Sequence, residues 1–238
     1  MLVARHLSKS FGRIRALDDF NVTMERGQSV LLIGPNGSGK TTFIKCVLGL
    51  VLPDKGELTL DGANLLGDPL LRRGIGYMPQ IGRFPDQLRV GQIFDMMREI
   101  RSGTHTRTDE DLIEAFEIDK IADKAARTLS GGTRQKVSAC LAFLFDPDIL
   151  ILDEPTAGLD PVAAEILKEK VRAERAKNKL ILLTSHILSD LEEIPSDVLY
   201  LIDGRLRFYR SMDGLMAEHG EEKLGRVIAK IMRESAKP

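Results

Sequence analysis

The chain has 238 residues, and its 34 Lys and Arg residues nearly balance 35 Asp and Glu residues, giving a net charge of −1. This length fits one globular domain or a core with a subdomain. The near-equal numbers of basic and acidic residues argue against a dedicated nucleic-acid-binding protein, which usually has an excess of basic residues. Because no apolar run reaches the ~18–20 residues that span a bilayer, and because the N-terminus lacks a signal-peptide pattern, we expect a cytoplasmic protein.

Cysteine and histidine positions argue against a zinc or copper centre in this chain. Cys46 and Cys140 are far apart and form no CxxC motif, so we expect two buried thiols in a reducing compartment. The four histidines are scattered, and none has the spacing of a metal ligand relative to another His or Cys.

Predicted strands and helices alternate in the first and last parts of the chain. An apolar run at residues 30–33 predicts a buried strand, a glycine-rich loop follows, and residues 41–48 have a helical pattern. Residues 57–60 alternate and lead into Asp61-Gly62, a pair typical of hairpin turns. Further strands are predicted at residues 149–152, 180–183 and 198–202, with a helix at residues 161–176.

Helical periodicity dominates from about residue 84 to residue 145, between these two parts. The same spacing near the C-terminus places Leu224, Val227, Ile228 and Ile231 on one face of a helix. We predict an α/β fold with a mixed sheet. Its expected division is a core of residues 1–82 and 144–210, an inserted helical subdomain of residues 83–143 and a helical tail of residues 211–238.

A glycine-rich motif stands between the first buried strand and its helix. Glycines let backbone amides wrap a phosphate, and the helix N-terminus adds positive potential. In such a loop the lysine reaches the β- and γ-phosphates and the hydroxyl that follows it ligates Mg²⁺, while Thr42 adds a hydrogen bond to the α-phosphate. The motif GxxxxGK[ST] is formed by Gly34, Pro35, Asn36, Gly37, Ser38, Gly39, Lys40 and Thr41.

Two acids, Asp153 and Glu154, follow the apolar run at residues 149–152. In an open parallel sheet, ligands bind at the carboxyl ends of the strands, so these acids are expected beside the phosphate loop. Asp153 would hold Mg²⁺, and Glu154 could act as general base toward an attacking water. Without the phosphate loop, the pair would be interpreted as a solvated turn.

A third motif, Ser130-Gly131-Gly132, opens a predicted helix. Its simplest interpretation is a helix cap with flexible glycines. A helix N-terminus also binds anions, but one ATP does not need two such ends from the same chain. We therefore expect Ser130, Gly131 and Gly132 to hold the γ-phosphate of an ATP bound to another copy.

Together these motifs closely resemble the ATP-binding cassette (ABC) ATPases over about residues 2–210. The resemblance implies a P-loop NTPase core of RecA type with a helical subdomain, and a head-to-tail dimer around two ATP and Mg²⁺. It also implies that Phe11 stacks on adenine and that Gln80 senses Mg²⁺ and the water. Asp160 matches the D-loop residue, and His186 matches the switch histidine at the γ-phosphate.

The resemblance completes the expected site. The catalytic residues would be Glu154, His186, Gln80 and Lys40, and the Mg²⁺ ligands would be Thr41, Gln80 and Asp153. The chain departs from the family at Thr133, where Gln is usual. Threonine keeps a hydroxyl but is shorter, so we expect activity to persist while the contact across the dimer could weaken.

The resemblance also implies partners, and four interpretations stay open. An ABC transporter ATPase would bind separate transmembrane permease subunits, through residues 81–97, at the inner face of the membrane. A soluble assembly ATPase of the iron–sulfur type, a translation-type ATPase and a non-catalytic regulatory cassette are the alternatives. Among transporters, the chain resembles the ABC-2 export type. The segments at residues 75–85 and 131–136 resemble Nos-type ATPases of copper-site maturation in nitrous oxide reductase, which work with a periplasmic protein.

Overall fold

A computed structural model of the chain describes residues 1–103, 107–185, 194–220 and 224–235. The strands are Leu2–Phe11 (β1), Ile14–Met24 (β2), Ser29–Ile33 (β3), Lys55–Leu60 (β4), Ala63–Asn64 (β5), Ile75–Met78 (β6), Ile149–Asp153 (β7), Leu180–Thr184 (β8), Asp197–Ile202 (β9) and Arg205–Ser211 (β10). The α-helices are Lys40–Val47 (α1), Val90–Arg101 (α2), Asp111–Ala115 (α3), Gly131–Phe143 (α4), Pro161–Ala176 (α5), Met212–His219 (α6) and Leu224–Ser235 (α7).

The strands form two sheets. The smaller sheet is antiparallel and has the order β2-β1-β4-β5, and the Asp61-Gly62 hairpin turn joins its last two strands as predicted. The larger sheet has the order β10-β9-β3-β8-β7-β6, in which only the β9–β10 pair is antiparallel. The mixed sheet predicted from the sequence is confirmed.

Strand β3 divides the apolar core into two halves because its side chains alternate between the faces of the sheet. Val30 and Leu32 pack with the small sheet and α1, whereas Leu31 and Ile33 pack toward the helices on the other face. Helix α1 is enclosed between the two sheets, where its Phe43 ring lies 4.8 Å from the ring of a β2 phenylalanine. The segment that follows the glycine-rich loop is therefore held rigidly from two sides.

Helices α2, α3 and α4 lie between β6 and β7 in the chain, as the helical periodicity predicted. Val90, Ile93 and Phe94 are buried along α2. Short 3₁₀ turns at Ile118–Ile121 and Ala126–Thr128 connect the last two of these helices. The limits of the helical subdomain at residues 83 and 143 stay a prediction.

A buried ion cluster connects α5 to the segment that precedes α3. The Lys170 ammonium lies 2.5 Å from Asp109 and 3.2 Å from Glu174 one helical turn later. Burial alone would raise the pKa of Glu174, but hydrogen bonds from Lys177 and Lys179 outweigh it and lower that pKa to about 2. Each charge has opposite partners, which offsets the cost of removing it from water.

The C-terminal part packs on the same core as α4 and α5. Val227 and Ile228 of α7 are buried and Ile231 packs against them, which confirms the predicted apolar face at these positions. Both cysteines are buried free thiols, as expected. Among the helices of the described residues, none combines the length and the apolar character needed to cross a membrane.

Candidate functional site

Four neighbouring strands end at one edge of the large sheet. In the ladder, Leu32 of β3 and Asp153 of β7 both pair with Thr184 of β8, while Leu152 pairs with Met78 of β6. The segments after these strands therefore meet around one cleft of about 330 Å³. The cleft is lined by Ile14, Ala16, Asn36, Gly37, Ser38, Gly39, Lys40, Thr41, Thr42, Gln80, Asp153, Glu154, Thr184 and Ser185.

The loop of residues 34–39 depends on glycine at two positions. Gly34 has φ of 153°, and a Cβ there would lie 2.1 Å from the backbone oxygen of Leu201. Gly39 has φ of 105°, and its Cβ would lie 2.3 Å from the oxygen of Ala16. Gly39 has no side chain that could cap α1. The first backbone amides of the helix therefore face the cleft without accepting groups from a capping side chain. This is the backbone arrangement that binds phosphate.

Lys40 is partly buried at the same helix end. Its ammonium donates to the carbonyl oxygens of Gly34 at 2.7 Å and Pro35 at 3.1 Å. Burial lowers the pKa of Lys40, and the charges of Asp153 and Glu154 oppose that shift. No carboxylate of the described residues lies within ion-pair distance of this ammonium. A cation held by carbonyls at an uncapped helix end fits a polyphosphate anion.

Ser38 adds a second unsatisfied group to the loop. The residue is 2% exposed, and its hydroxyl oxygen has no hydrogen-bond partner within the described part of the chain. A buried hydroxyl without a partner costs free energy that a ligand can recover. The loop therefore passes a test of fit for phosphate that is independent of its sequence motif.

Thr184 connects the two acids that end β7. Its hydroxyl donates to Asp153 Oδ1 at 2.5 Å and also lies 3.0 Å from the Glu154 amide, which donates to it. Glu154 has φ of 51°, a left-handed conformation that is uncommon for a residue other than glycine. Such local strain is typical of functional sites. Thr184 was assigned no role from the sequence, although its position at the end of a predicted parallel strand could have indicated one.

The side of the cleft that faces β1 and β2 is lined by Ile14 and Ala16, which the sequence motifs did not indicate, and the predicted adenine-stacking residue Phe11 lies next to Ile14 in the β1–β2 ladder. Phe11 is 50% exposed and pairs with Ile14 across the turn, but it is not among the described residues that line the cleft. Ile14 is 70% exposed and lines the cleft together with Ala16. The Lys9 ammonium lies 5.5 Å from the centre of the Phe11 ring. Ile14 therefore provides an apolar surface beside the phosphate loop, and the exposed Phe11 pairs with it.

The Ser130-Gly131-Gly132 segment lies outside this cleft. Ser130 caps α4 by accepting a hydrogen bond from the Thr133 amide at 3.2 Å, as the simpler interpretation of this motif expected, while its contact with the γ-phosphate of another copy stays a prediction. A Cβ at Gly132 would lie 2.7 Å from the oxygen of Gly158, whereas a Cβ at Gly131 would meet no atom of the described residues within 4 Å. Gly132 is thus a packing residue, and Gly131 leaves an open surface beside the exposed Ser130.

Asp160 caps α5 and also contacts α4. Its carboxylate accepts a hydrogen bond from the Ala163 amide at 2.9 Å, and its other oxygen lies 2.8 Å from the Lys136 ammonium. The hydrogen bond from Lys136 lowers the pKa of Asp160, and the amide of Ala163 adds to that effect. His186, the predicted switch histidine, lies outside the described residues.

A protein-family model described as "ABC transporter" matches residues 17–157. Among curated relatives, the Nod factor export ATP-binding protein I of Ralstonia nicotianae is 34% identical over 86% of this chain and 65% of its own length. The ABC transporter ATP-binding protein YtrB of Bacillus subtilis is 32% identical over 92% of this chain and 75% of its own length. The chain thus spans just under two thirds of the Nod factor relative.

Solved structures agree with these matches. A structure of an ATP-binding subunit of an ABC transporter superposes with a TM-score of 0.89, at 28% identity, and covers 98% of this chain and 99% of that one. A dimeric ATP-binding cassette bound to ADP and phosphate has a TM-score of 0.78, at 22% identity, and covers 89% and 99% of the two chains. The chain therefore belongs to the ABC transporter family and has the fold of its ATPase cassettes.

Proposed function

We propose that the protein is the ATP-binding and ATP-hydrolysing subunit of an ABC transporter. One observation carries this proposal: the uncapped helix end with Lys40 lies in the same cleft as Asp153 and Glu154. The helix end and Lys40 bind polyphosphate, while Asp153 provides a metal ligand and Glu154 a base. The family match supports the same activity.

Binding would involve the whole length of the nucleotide. Lys40 and the loop amides hold the β- and γ-phosphates, Thr42 contacts the α-phosphate, and Phe11 stacks on adenine beside Ile14. Mg²⁺, when bound, neutralises the phosphate charge that develops during transfer. Thr41, Asp153 and Gln80 line the cleft and fit the oxygen ligands that this ion prefers.

Hydrolysis requires a water in line with the γ-phosphate. Glu154 orients this water and accepts its proton, while Thr184 holds the neighbouring Asp153 and the Glu154 backbone in place. Gln80 and His186 complete the surroundings of the γ-phosphate. Most of the rate enhancement comes from positioning and from preorganised charge.

A second copy of the chain would complete each site. Ser130, Gly131 and Gly132 do not line the cleft of their own chain, although they form an exposed, glycine-rich helix end. In a head-to-tail dimer they bind the γ-phosphate held by the partner, and Asp160 lies at the interface between the copies. Loss of the γ-phosphate then removes a shared ligand, and the dimer opens.

The proposed permease site is a groove between β6, α2 and α4. Phe84 and Phe145 line it together with Arg73, Arg83 and Arg101. The Arg101 guanidinium donates to the Arg73 carbonyl at 2.6 Å and lies 5.1 Å from the centre of the Phe145 ring. An apolar groove rimmed by three cations suits an amphipathic segment with acidic residues. Such a partner would place the chain at the inner face of the membrane.

An exporter is the finer proposal, supported by relatives whose names refer to Nod factor export and lipopolysaccharide export. The sequence around Gln80 and Thr133 supports a still narrower role, namely copper-site maturation with a periplasmic partner protein. In that role, copper or sulfur would be delivered outside the cytoplasm without binding to this chain.

The proposed activity is tested with Glu154→Gln. We expect ATP hydrolysis to fall by about 10²–10⁴-fold, the usual contribution of a general base, while ATP still binds. The ATP-bound variant should then accumulate as closed dimers, which light scattering detects. Glu169→Gln, which changes an exposed glutamate of α5, is the matched control. A Glu154→Gln protein with full ATPase activity would contradict the proposal.

The proposed partner is tested by purification from native membranes. We expect a six-helix permease to copurify with the chain, and Arg83→Glu to release it. Arg207→Glu, an exposed arginine of β10, is the control. Copurification with a soluble assembly complex would instead favour the iron–sulfur alternative, and a periplasmic copper protein in the same complex would support the narrower role.

A further inference from the structure

Thr133 contacts the Ser130 side chain twice at the beginning of α4. The Thr133 amide donates to Ser130 Oγ at 3.2 Å, and the two hydroxyl oxygens lie 2.8 Å apart. Either hydroxyl could be the donor in the second contact. Ser130 is exposed whereas Thr133 is partly buried, so Ser130 is the member of the pair that an incoming molecule reaches first.

The direction of the hydroxyl contact decides what Ser130 can offer to a ligand. A serine hydroxyl has one proton to donate and two lone pairs that accept. If Ser130 donates to Thr133, that proton is used within the chain. If Thr133 donates to Ser130, the Thr133 amide and hydroxyl occupy both lone pairs, and the Ser130 proton remains for an outside acceptor. Only the second direction suits a phosphate oxygen, which accepts hydrogen bonds.

We propose that Thr133 is a positioning residue that commits the Ser130 hydroxyl to donate toward the γ-phosphate bound by a second copy of the chain. This inference rests on the proposed function, because Ser130 must meet the partner's nucleotide. Thr133 itself touches no nucleotide in this arrangement and acts only through Ser130. The threonine that replaces the usual glutamine at position 133 thus orients the Ser130 hydroxyl.

Two contacts hold the first turns of α4 while this hydroxyl pair adjusts. Gly132 packs against the Gly158 carbonyl so closely that a Cβ would lie 2.7 Å from its oxygen. One turn later, the Lys136 ammonium lies 2.8 Å from Asp160. Because two successive turns of the helix are held against residues 158–160, removal of the Thr133 hydroxyl is expected to reorient the Ser130 hydroxyl and leave the helix in place.

The test compares Thr133→Val with Thr133→Ser in a Glu154→Gln background, in which ATP-bound dimers accumulate. Valine keeps the shape of threonine without its hydroxyl, whereas serine keeps the hydroxyl. We expect Thr133→Val to raise the ATP concentration for half-maximal dimer formation about five- to tenfold, the effect of one lost hydrogen bond. Thr133→Ser should stay within about twofold of the background. Thr128→Val is the matched control, since among the described residues the Thr128 hydroxyl donates only to the nearby Ala125 carbonyl, at 2.7 Å.

The readouts separate this inference from the proposed function. Binding of a fluorescent ATP analogue to the single chain should be unchanged in Thr133→Val, because the phosphate loop lies on another surface. Equal dimerisation of Thr133→Val and Thr133→Ser would overturn the role of Thr133, whereas failure of Glu154→Gln alone to dimerise would contradict the proposed function. If circular dichroism reveals unfolding of Thr133→Val, Thr133→Ala replaces it, with the same expected shift and the same overturning result.

Discussion

Helices α1 and α4 both begin in glycine-rich sequence, but their first turns are capped differently. Gly39 precedes α1 without a side-chain cap, whereas Ser130 caps α4 through its hydroxyl. Helix α1 is enclosed between two sheets, while α4 begins at the surface. The enclosed helix end offers its backbone amides directly to an anion, so it can hold a phosphate within one chain. The surface helix end offers a hydroxyl and an open glycine, and it depends on a phosphate that another molecule brings.

The largest effect on the free energy of unfolding is expected from a substitution in the loop before α1, and it tests whether that loop is rigid. Gly39→Ala combines φ of 105° with a Cβ 2.3 Å from the Ala16 oxygen, so we expect a loss of about 3 kcal/mol or more in the free energy of unfolding. Gly37→Ala, with φ of 80° in open space, should lose only about 1–2 kcal/mol. Urea unfolding measures both, and equal losses would show that the contact with Ala16 is not limiting.

A smaller effect is expected at the open glycine of α4, and it should concern assembly instead of folding. Gly131→Ala meets nothing within 4 Å among the described residues of its own chain, and alanine favours the helix by about 0.5–1 kcal/mol. The added methyl group nevertheless occupies the surface that approaches the partner's nucleotide. In a Glu154→Gln background we expect ATP-driven dimerisation to weaken about tenfold or more, equivalent to about 1.4 kcal/mol.

Gly132→Ala provides the contrast within the same motif. Its Cβ would lie 2.7 Å from the Gly158 oxygen, so thermal unfolding should reveal lower stability for this variant and not for Gly131→Ala. Unchanged dimerisation of Gly131→Ala would argue that α4 does not meet the second nucleotide.

The smallest effect is expected from Lys136→Met, which removes the partner of Asp160. Because Lys136 lowers the pKa of Asp160, the pair stabilises the fold above the ordinary aspartate pKa of 3.8, and this contribution is lost as the pH falls through the lowered value. We therefore expect a slightly lower Tm for the variant near neutral pH and equal Tm values in acid. A difference in Tm that persists at low pH would assign the effect to the other contacts of the lysine, whose ammonium also lies 5.7 Å from the centre of the Phe116 ring.

Local sequence was sufficient to predict the parts of the site that a few consecutive residues build. The glycine loop, the start of α5 at Pro161 and the acids after β7 depend on backbone conformations that glycine, proline and alternating apolar residues favour in any fold. The contact of Thr184 with Asp153 was not predicted, since 31 residues separate the two hydrogen-bonded side chains. Ile14 was missed because its exposure follows from the position of the small sheet beside the phosphate loop.

The sequence by itself determined the class of the fold, the anion-binding loop and the identity of the acids, because each is encoded by short-range sterics and charge. Only the tertiary structure decided that β3 lies between β8 and β9, and that Ile14 and Ala16 of the small sheet line the same cleft as Lys40. It also decided that the Glu174 carboxylate is buried among lysines. The many charged residues of its helix would by themselves predict a solvent-exposed carboxylate. Strand order and burial depend on pairings between distant segments, and no local pattern specifies them.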